Sequence, residues 1–304
     1  MMQPNYYYKY LSRPEGIVDA VLDTDTFNEI DDQYALAYML KLTERINTKA
    51  VYAAPFSFVN QGTPEEGMLK SYDEIKNILA LMEISEVPVF KGSRAYLAGE
   101  TIPQKSPAAA DLVERAQNYG YSQENPLYVI AIGAITNVAS ALLLCPEIAD
   151  KIVVVWLGGH GRDWPDTGEF NWSQDVPAVR VLFASGAPVI QLPCMGVVEQ
   201  LTTTGPELKY WLSGKNKLCD YLFDITCNAA GGNMDRAWSR VIWDISAVAW
   251  VGGPKDCIYT RNSPSPAPEP NMKHSFDLLR TPIGYVYGLN RDAILTDLFE
   301  KLAR

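Results

Sequence analysis

The chain has 304 residues, 47% of them hydrophobic, so it can bury a substantial core without disulfide or metal staples. Its 36 acidic and 26 basic side chains leave a net charge of −10, with no visible cluster of lysine or arginine. This balance argues against a nucleic-acid backbone or an anionic membrane surface as the main partner.

The cysteines and the apolar runs predict a reduced, cytoplasmic location. The five cysteines are odd in number and lack metal-type spacing such as CxxC. The opening segment MMQPNYYYKYLSRPEG has no apolar signal core, and no later run approaches the roughly 20 apolar residues of a membrane span.

Short apolar runs rich in β-branched residues alternate along the chain with segments of helical spacing. The predicted strands are IVDAVLD from 17, KAVYAAP from 49, VPVF from 87, LYVIAIG from 127, KIVVVWLGG from 151 and APVIQLP from 187. The predicted helices span 31–45, 65–83, 107–118, 136–144, 174–185, 215–228 and 291–303. This alternation predicts an α/β fold with an open, mostly parallel sheet flanked by helices.

The proline-rich stretch SPSPAPEPN at 263–271 is the candidate linker. The run IGYVYG and a final helical segment follow it, so we expect an extended loop inside one domain rather than a boundary. The sequence therefore predicts a single domain over residues 1–304.

Acidic side chains crowd the stretch VLDTDTFNEIDDQYALAYML at 21–40, between the first predicted strand and the first helix. The acids are Asp23, Asp25, Glu29, Asp31 and Asp32. They lie at the C-terminal end of a strand, where open α/β sheets bind ligands. A helix N-terminus offers only about 0.3–1 kcal/mol to each carboxylate, too little for so much like charge. A divalent cation such as Ca²⁺ would offset the repulsion, because it takes six to eight oxygen ligands; a solvated capping cluster is the alternative.

A second chemistry also fits the beginning of this stretch. VLDTDTF resembles the DxDxT motif of aspartyl-phosphate phosphatases, in which the first aspartate attacks phosphorus. That interpretation leaves Asp31 and Asp32 without a role, and the double aspartate therefore favours a different family.

Four segments, in order along the chain, resemble the inosine-uridine-preferring nucleoside hydrolase family. DTDTFNEIDD at 23–32 is similar to the family's DxDxxxDD motif, with a loop two residues longer. AIGAITNVASALL at 131–143 is similar to xGPLTNxAxAL, GEFNWSQDVPAVRVLFASGAPV at 168–189 to AEFNxxxDPEAAxxVFxSGxPV, and VIWDISAVAW at 241–250 to HDPxAVA. The resemblance implies the family's fold and Ca²⁺-dependent cleavage of the N-glycosidic bond of a small-molecule ribonucleoside.

The resemblance also implies a metal site. Asp25, Asp32, Asp244 and the backbone carbonyl of Ile132 match the family's Ca²⁺ ligands. Asp25 further matches the catalytic base that takes a proton from water, and Asp23 aligns with the first acid of the motif, expected to support the ligands from behind. From the sequence alone, Asp244 is equally compatible with a helix cap.

Substrate contacts are implied at further positions. Asp31 matches the residue that binds a ribose hydroxyl, and Glu169 and Asn171 match the pair that reaches the other sugar hydroxyls. Asp163 falls where the family often has Asn, and Asn60 lies in a segment that replaces the family's AGN turn. Both changes leave sugar positioning open, and Glu169 and Asn171 are also compatible with ordinary loop polar residues.

The sequence departs from its family at the leaving base. The residue before the last metal-binding aspartate is usually a histidine that protonates the base, and here it is Trp243, which cannot be that acid. We expect Trp243 to stack on a purine instead. The chain has two histidines: His160 follows a predicted strand and faces the expected site, whereas His274 is expected at the surface or in packing.

Three functions remain open from the sequence. The first is an active Ca²⁺-dependent ribonucleoside hydrolase, with purines slightly favoured by the aromatic content. The second is a hydrolase-like protein that binds or processes another ribosyl compound with little turnover, and the third, a remote alternative, is a metal-dependent phosphatase. The family resemblance further implies a homo-oligomer, either a dimer or a tetramer.

Overall fold

An eight-stranded sheet forms the centre of the fold in the computed structural model, which describes residues 4–58, 62–232 and 236–304. In chain order its strands are β1 (Val18–Thr24), β2 (Ile46–Ala53), β3 (Val89–Lys91), β4 (Leu127–Ala131), β5 (Ile152–Leu157), β6 (Val189–Leu192), β7 (Ile258–Ser263) and β8 (Ile283–Leu289). Across the sheet the order is β3-β2-β1-β4-β5-β6-β8-β7, and every neighbouring pair is parallel except β8 with β7. The mostly parallel α/β sheet predicted from the sequence is confirmed.

The antiparallel strand β7 was missed by the sequence prediction. It lies at the edge of the sheet, and its side chains alternate between exposed and partly buried positions. The central strands β4, β5 and β6 are buried along their whole length. Continuous apolar runs mark strands covered on both faces, so an edge strand without such a run gives little signal.

Helices cover both faces of the sheet and complete two hydrophobic cores. Successive residues of β1 point to opposite faces, so Leu22 belongs to one core and Val21 to the other. The α-helices are α1 (Pro4–Lys9), α2 (Asp31–Lys41), α3 (Pro64–Leu81), α4 (Pro107–Asn118), α5 (Thr136–Leu144), α6 (Phe170–Gln174), α7 (Val176–Ala184), α8 (Gly205–Trp211), α9 (Lys217–Ala229), α10 (Ile245–Gly252) and α11 (Arg291–Leu302). Among the described residues, no helix combines the length and apolar content that a membrane span requires.

Two predicted helices differ from those observed. The predicted helix 174–185 corresponds to α7 (Val176–Ala184), which begins after Asp175 because the Asp175 side chain accepts a hydrogen bond from Ala178 N (3.0 Å); the short α6 that ends at Gln174 was not predicted. The predicted helix 31–45 ends at Lys41. Side-chain capping of this kind competes with a continuous helix, and periodicity does not register it.

The proline-rich stretch 263–271 leaves the sheet at the end of β7. Its Ser265–Pro266 pairs antiparallel with Phe276–Asp277, so the predicted extended loop contains one two-residue strand. The chain then returns to form β8 beside β7. Both strands that flank the stretch therefore belong to the same sheet, and the single-domain organisation stays a prediction.

The strand order reverses between β1 and β4. From β1 the chain continues outward to β2 and β3, and it then returns to build β4, β5 and β6 on the other side of β1. Ligands of open α/β sheets bind at this switch point, beyond the carboxyl ends of the strands. The segments that follow β1 and β4 contain Asp25 and Ile132, so the fold brings these residues to one edge.

Candidate active site

A cavity of about 250 Å³ opens at the carboxyl edge of the sheet, next to the switch point. Most of the residues that the sequence singled out line it: Asp25, Asp31, Asp32, Ile132, Glu169, Asn171, Trp243 and Asp244. They come from segments after β1, β4 and β5 and from the start of α10, which are far apart in the sequence. The parallel sheet joins these segments because all the strands concerned end at the same edge.

The loop after β1 turns tightly around Asp25. The Asp25 carbonyl accepts hydrogen bonds from Phe27 N (2.6 Å) and Asn28 N (2.7 Å). Asp31 and Asp32 then form the first turn of α2, whose N-cap position is held by Ile30 without a side-chain cap. The positive end of this helix therefore faces the acidic cavity.

Four carboxylates converge in the cavity. Oxygen atoms of Asp31, Asp32 and Asp244 lie within 4.8 Å of one another, and all three side chains are buried. Asp25 lies beside Gly133, where a Cβ atom would come within 2.7 Å of Asp25 Oδ1. Glycine is therefore required for the close approach of Asp25 to the turn after β4.

These carboxylates have few hydrogen-bond donors. The Thr24 hydroxyl donates to Asp32, and Trp243 N donates to Asp31 Oδ2 (3.0 Å). Asp25 Oδ2 is buried and has no partner among the described residues. Asp244 occupies the N-cap position of α10, yet its side chain makes no capping bond, so its carboxylate is not used as a helix cap.

The pKa values of these carboxylates reflect the shortage of hydrogen-bond donors. Burial raises the pKa of Asp25 well above its ordinary value, and the neighbouring charge of Asp32 raises it further. Burial followed by carboxylate neighbours likewise raises the pKa of Asp31 and of Asp244. Burial raises the pKa of Asp32 to about 7, although hydrogen bonds from Thr24 and Asp244 oppose the shift. Buried, oxygen-only and poor in donors, the group fits a hard divalent cation.

The carbonyl of Ile132 lines the same cavity. It accepts a hydrogen bond from Asn171 Nδ2 (3.0 Å), and the same nitrogen also donates to Leu157 O (3.1 Å). A carbonyl oxygen has two lone pairs, so one remains for a cation. The two backbone contacts fix the orientation of the Asn171 amide.

Glu169 is a buried carboxylate with a different environment. Its Oε1 accepts from Asn171 N (2.7 Å), and its Oε2 accepts from Gly159 N and Trp172 N (both 3.0 Å). Burial raises its pKa to about 7, and these backbone hydrogen bonds limit the rise. Glu169 is therefore a rigidly held helix cap that also faces the cavity.

Asp23 lies behind the cavity, at the end of β1. Its Oδ1 accepts from Asn137 Nδ2 (2.8 Å), whereas its Oδ2 is buried without a partner among the described residues. Burial raises the pKa of Asp23 to about 7, with the Asn137 bond opposing the shift. Asn137 is not singled out by the sequence analysis, although this residue lies in AIGAITNVASALL, one of the four segments that resemble the family.

One predicted substrate residue is not brought to the cavity, and another cannot be placed. Asp163 is exposed in the loop after β5 and is not among the lining residues; it lies in a turn closed by the hydrogen bond from Trp164 N to Gly161 O (2.9 Å), and residues 163–165 are all exposed. Asn60 lies outside the described residues.

Trp243 and His160 form part of the cavity wall. Trp243 is half-buried and packs partly against the hydrophobic core. His160 Nδ1 accepts from Met195 N (3.4 Å), so the neutral ring carries its proton on Nε2, and burial lowers its pKa. His274 lies outside this cavity, with Nε2 2.9 Å from Trp164 O.

Several lining residues were not assigned a role from the sequence, and four of them are polar or sulfur-containing. Asn28 and Glu29 belong to the acidic loop itself, and Cys194 and Met195 follow β6. The rule that placed the acids at the end of β1 applies equally to the end of β6, so the position of Cys194 was available from the sequence. Burial raises the pKa of its thiol, followed by the Glu169 charge, so the thiol stays protonated at neutral pH.

Comparison with known protein families gives one match over most of the chain. Residues 20–265 match the family model described as inosine-uridine preferring nucleoside hydrolase. Among curated relatives, the pyrimidine-specific ribonucleoside hydrolase RihA of Enterobacter sp. (strain 638) is 29% identical over 56% of this chain. That alignment covers 58% of RihA, so this chain spans little more than half the length of that relative.

Two further proteins align over longer stretches. The non-specific ribonucleoside hydrolase RihC of Salmonella paratyphi B is 26% identical over 77% of this chain and 78% of its own length. The solved structure of the plant nucleoside hydrolase PpNRh1 superimposes with a TM-score of 0.74 at 19% identity, and the match covers 94% of this chain and 99% of the plant chain. At that identity the structural likeness shows the fold alone.

Proposed function

Because the chain belongs to the inosine-uridine preferring nucleoside hydrolase family, we propose that it hydrolyses the N-glycosidic bond of ribonucleosides to free base and ribose. The observation that carries the proposal is the group of four buried carboxylates at the switch point, which has few donors among the described residues and lies in one cavity with Ile132, whose carbonyl accepts one hydrogen bond. The residues of this group are those that the family resemblance assigns to the metal ligands, to the catalytic base and to a ribose contact.

The donor set supports Ca²⁺ as the cofactor. Asp25, Asp32, Asp244 and the carbonyl of Ile132 would hold the ion, and each offers an oxygen atom in the same cavity. The partnerless Oδ2 of Asp25 supports this assignment, because a buried carboxylate oxygen without a donor is costly unless a cation compensates it. A bound Ca²⁺ would neutralise the crowded charge and lower the pKa of a water molecule nearby.

Asp25 is the proposed catalytic base. It is buried and lines the cavity. Burial raises its pKa, and the charges of Asp32, Asp31 and Glu169 raise it further. A buried carboxylate beside the water that the cation would hold is placed to accept its proton. In the reaction Asp25 accepts a proton from the water that attacks the anomeric carbon, and Asp23 with Asn137 supports the end of β1 from behind.

The ribose would be held between the two walls of the cavity. Asp31, fixed by the Trp243 backbone N–H, faces one side and binds a ribose hydroxyl. Glu169 and Asn171 face the other side and bind the remaining hydroxyls, with Glu169 fixed by three backbone N–H groups. Such rigid positioning favours the oxocarbenium-like sugar of the transition state, as in other glycoside cleavage.

Trp243 is proposed to stack on the leaving base. Its indole lines the cavity directly before Asp244, at the position where the family usually has a histidine. An indole cannot protonate the base, so the base would leave with a proton from water or from a more distant group. This departure is the observation that favours the second candidate, a hydrolase-like protein that binds or processes another ribosyl compound with little turnover.

The test is a ribose-release assay with inosine, guanosine, adenosine, uridine and cytidine, in Ca²⁺ and after chelation. Asp25→Ala is expected to lower kcat by about 10³-fold or more, whereas Asp73→Asn, at an exposed position of α3, should retain the wild-type rate. Chelation should abolish ribose release in the wild-type protein.

The outcomes separate the candidates. Metal-dependent ribose release that is lost in Asp25→Ala supports the hydrolase. Tight nucleoside binding without any ribose contradicts it and supports the binding protein. Free inorganic phosphate from a phosphorylated substrate would instead indicate a phosphatase. Sedimentation of the same samples tests the expected dimer or tetramer, and fractionation of the source cells tests the expected cytoplasmic location.

A further inference from the structure

Cationic side chains gather beside the cavity, although the chain as a whole carries a net charge of −10. A narrow cleft adjoins the cavity and shares His160 with it. The cationic or basic groups that line this cleft are His160, Arg162, Lys273 and His274, and we refer to them as the basic cleft. No carboxylate is among its lining residues in the described part of the chain.

The side-chain hydrogen bonds of Arg162, Lys273 and His274 are to backbone carbonyls rather than to acids. Arg162 donates to Pro264 O (3.1 Å), Lys273 Nζ donates to Pro165 O (3.2 Å), and His274 Nε2 lies 2.9 Å from Trp164 O. Within residues 4–58, 62–232 and 236–304, neither Arg162 nor Lys273 forms a salt bridge. Asp166 and Glu199 are the acids that act on His160, and Asp166 also accepts from Gly168 N.

Aromatic rings hold Arg162 in place. Its guanidinium lies 4.4 Å from the centroid of Phe276 and 4.7 Å from that of Tyr285. The guanidinium of Arg261 lies 5.5 Å from the same Tyr285 ring, so two arginines share one aromatic residue. Burial lowers the pKa of Arg162, and the charge of Arg261 lowers it further. Positive charge concentrated in this way, without an acidic partner, is stabilised by a bound anion.

The basic cleft adjoins the part of the cavity that contains Glu169, a proposed ribose contact. Thr167 lines the cleft, and the next two residues, Gly168 and Glu169, line the cavity. In a ribonucleoside, the base on C1′ and the C5′ carbon on C4′ both lie on the ring face opposite the C2′ and C3′ hydroxyls. With those hydroxyls at the aspartates and the base at Trp243, C5′ would lie on the side of Glu169 and His160, next to the basic cleft.

We propose that the basic cleft is an anion subsite that binds phosphate on the 5′ side of a ribosyl compound whose sugar occupies the cavity. The inference rests on the proposed function and deepens it: the substrate class becomes ribonucleoside 5′-phosphates in preference to free nucleosides. The cleft itself encloses about 10 Å³, so the phosphate lies at its mouth, where Lys273 is exposed and His274 is half-buried. Arginine, lysine and histidine donors together match the three terminal oxygens of a phosphate.

The test compares inosine with inosine 5′-monophosphate in the Ca²⁺-loaded full-length protein. Wild-type protein is expected to bind the monophosphate about tenfold more tightly than inosine, because charge-assisted hydrogen bonds to phosphate are strong. Lys273→Gln and Arg162→Gln should each lower the ratio of kcat/KM for the monophosphate to kcat/KM for inosine by about fivefold or more. Lys255→Gln, an exposed lysine in the loop after α10, should leave this ratio unchanged.

Two readouts keep the inference separate from the proposed function. Isothermal titration with the monophosphate measures binding even if no ribose is released, and because Lys273 is exposed, its substitution is not expected to perturb folding. Phosphate-dependent binding that weakens in Lys273→Gln supports the subsite in either case. Equal affinity for inosine and its monophosphate, an unchanged ratio in both variants, or no binding of the monophosphate overturns it.

Discussion

Two kinds of buried carboxylate line the same cavity. Glu169 receives three backbone N–H groups, which limit the rise of its pKa on burial. Asp25 and Asp244 are as deeply buried, yet one has a partnerless oxygen and the other makes no capping bond at its N-cap position. Burial alone therefore does not define a cation site. The discriminating property is the supply of donors, because a carboxylate without them needs a cation or a proton.

The largest expected effect follows from removing charge on the donor-poor side. Asp244→Asn keeps the side-chain volume but removes a proposed ligand, so kcat/KM for ribose release should fall by about 10³-fold. The increase in Tm on adding Ca²⁺, measured by thermal unfolding, should disappear as well. Wild-type-like calcium stabilisation in this variant would show that the two kinds of carboxylate do not differ as argued.

A smaller effect is expected on the donor-rich side. Glu169→Gln replaces one acceptor oxygen by a donor, which leaves at least one backbone N–H group unsatisfied. We expect kcat/KM to fall by about 10²-fold and stability to fall by about 1–3 kcal/mol in urea unfolding of the metal-free protein.

Calcium should still raise the Tm of the Glu169→Gln variant. Loss of that increase would place Glu169 among the metal ligands. The distinction between carboxylates with and without hydrogen-bond donors would then fail.

Trp243 tests the end of the cavity where the base leaves. Trp243→Ala removes the proposed stacking surface, so kcat/KM for purine nucleosides should fall by about tenfold, whereas Trp243→Phe should retain most of it. Because the interaction with Asp31 uses the backbone N–H of residue 243, it survives both substitutions. Normal purine hydrolysis by Trp243→Ala would rule out the stacking role.

The smallest expected effect is a pH dependence of calcium stabilisation. Burial raises the pKa of Asp32 from 3.8 to about 7, so between these values the folded metal-free protein holds a proton that the unfolded chain has lost. Its stability therefore falls as pH rises through this range. Because calcium replaces that proton, its stabilisation should be larger at pH 8 than at pH 5 by a few degrees of Tm. An equal shift at both pH values would contradict the link between donor shortage and cation binding.

The fold was predictable because parallel strands and their covering helices leave strong local patterns. The runs LYVIAIG and KIVVVWLGG correspond to β4 and β5, which are buried throughout. The edge strand β7 left no comparable run, and the start of α7 two residues after the predicted position depends on one capping side chain, Asp175. Signals that depend on a single hydrogen bond or on one exposed edge are weak in any window average.

Part of the candidate site could also be predicted from the sequence. The crowding of Asp25, Asp31 and Asp32 after a strand pointed to the carboxyl edge of the sheet, and the structure brings them into one cavity with Asp244 and Ile132. Asp163, which matches a position where the family often has Asn, is exposed and lies outside the cavity. Loop length and direction differ between relatives, so a matching position there does not guarantee a matching location.

The sequence by itself determined the order of strands and helices and the concentration of acids after the first strand, because hydrophobic periodicity and charge are local properties of the chain. Only the tertiary structure decided which carboxylates are left without donors, since Gly159, which donates to Glu169, and Gly133, which lies against Asp25, come from separate segments. It also decided that Arg162 and Lys273, more than 100 residues apart in the chain, line one cleft next to the cavity. Such juxtapositions depend on how the chain returns to the sheet, which no local pattern encodes.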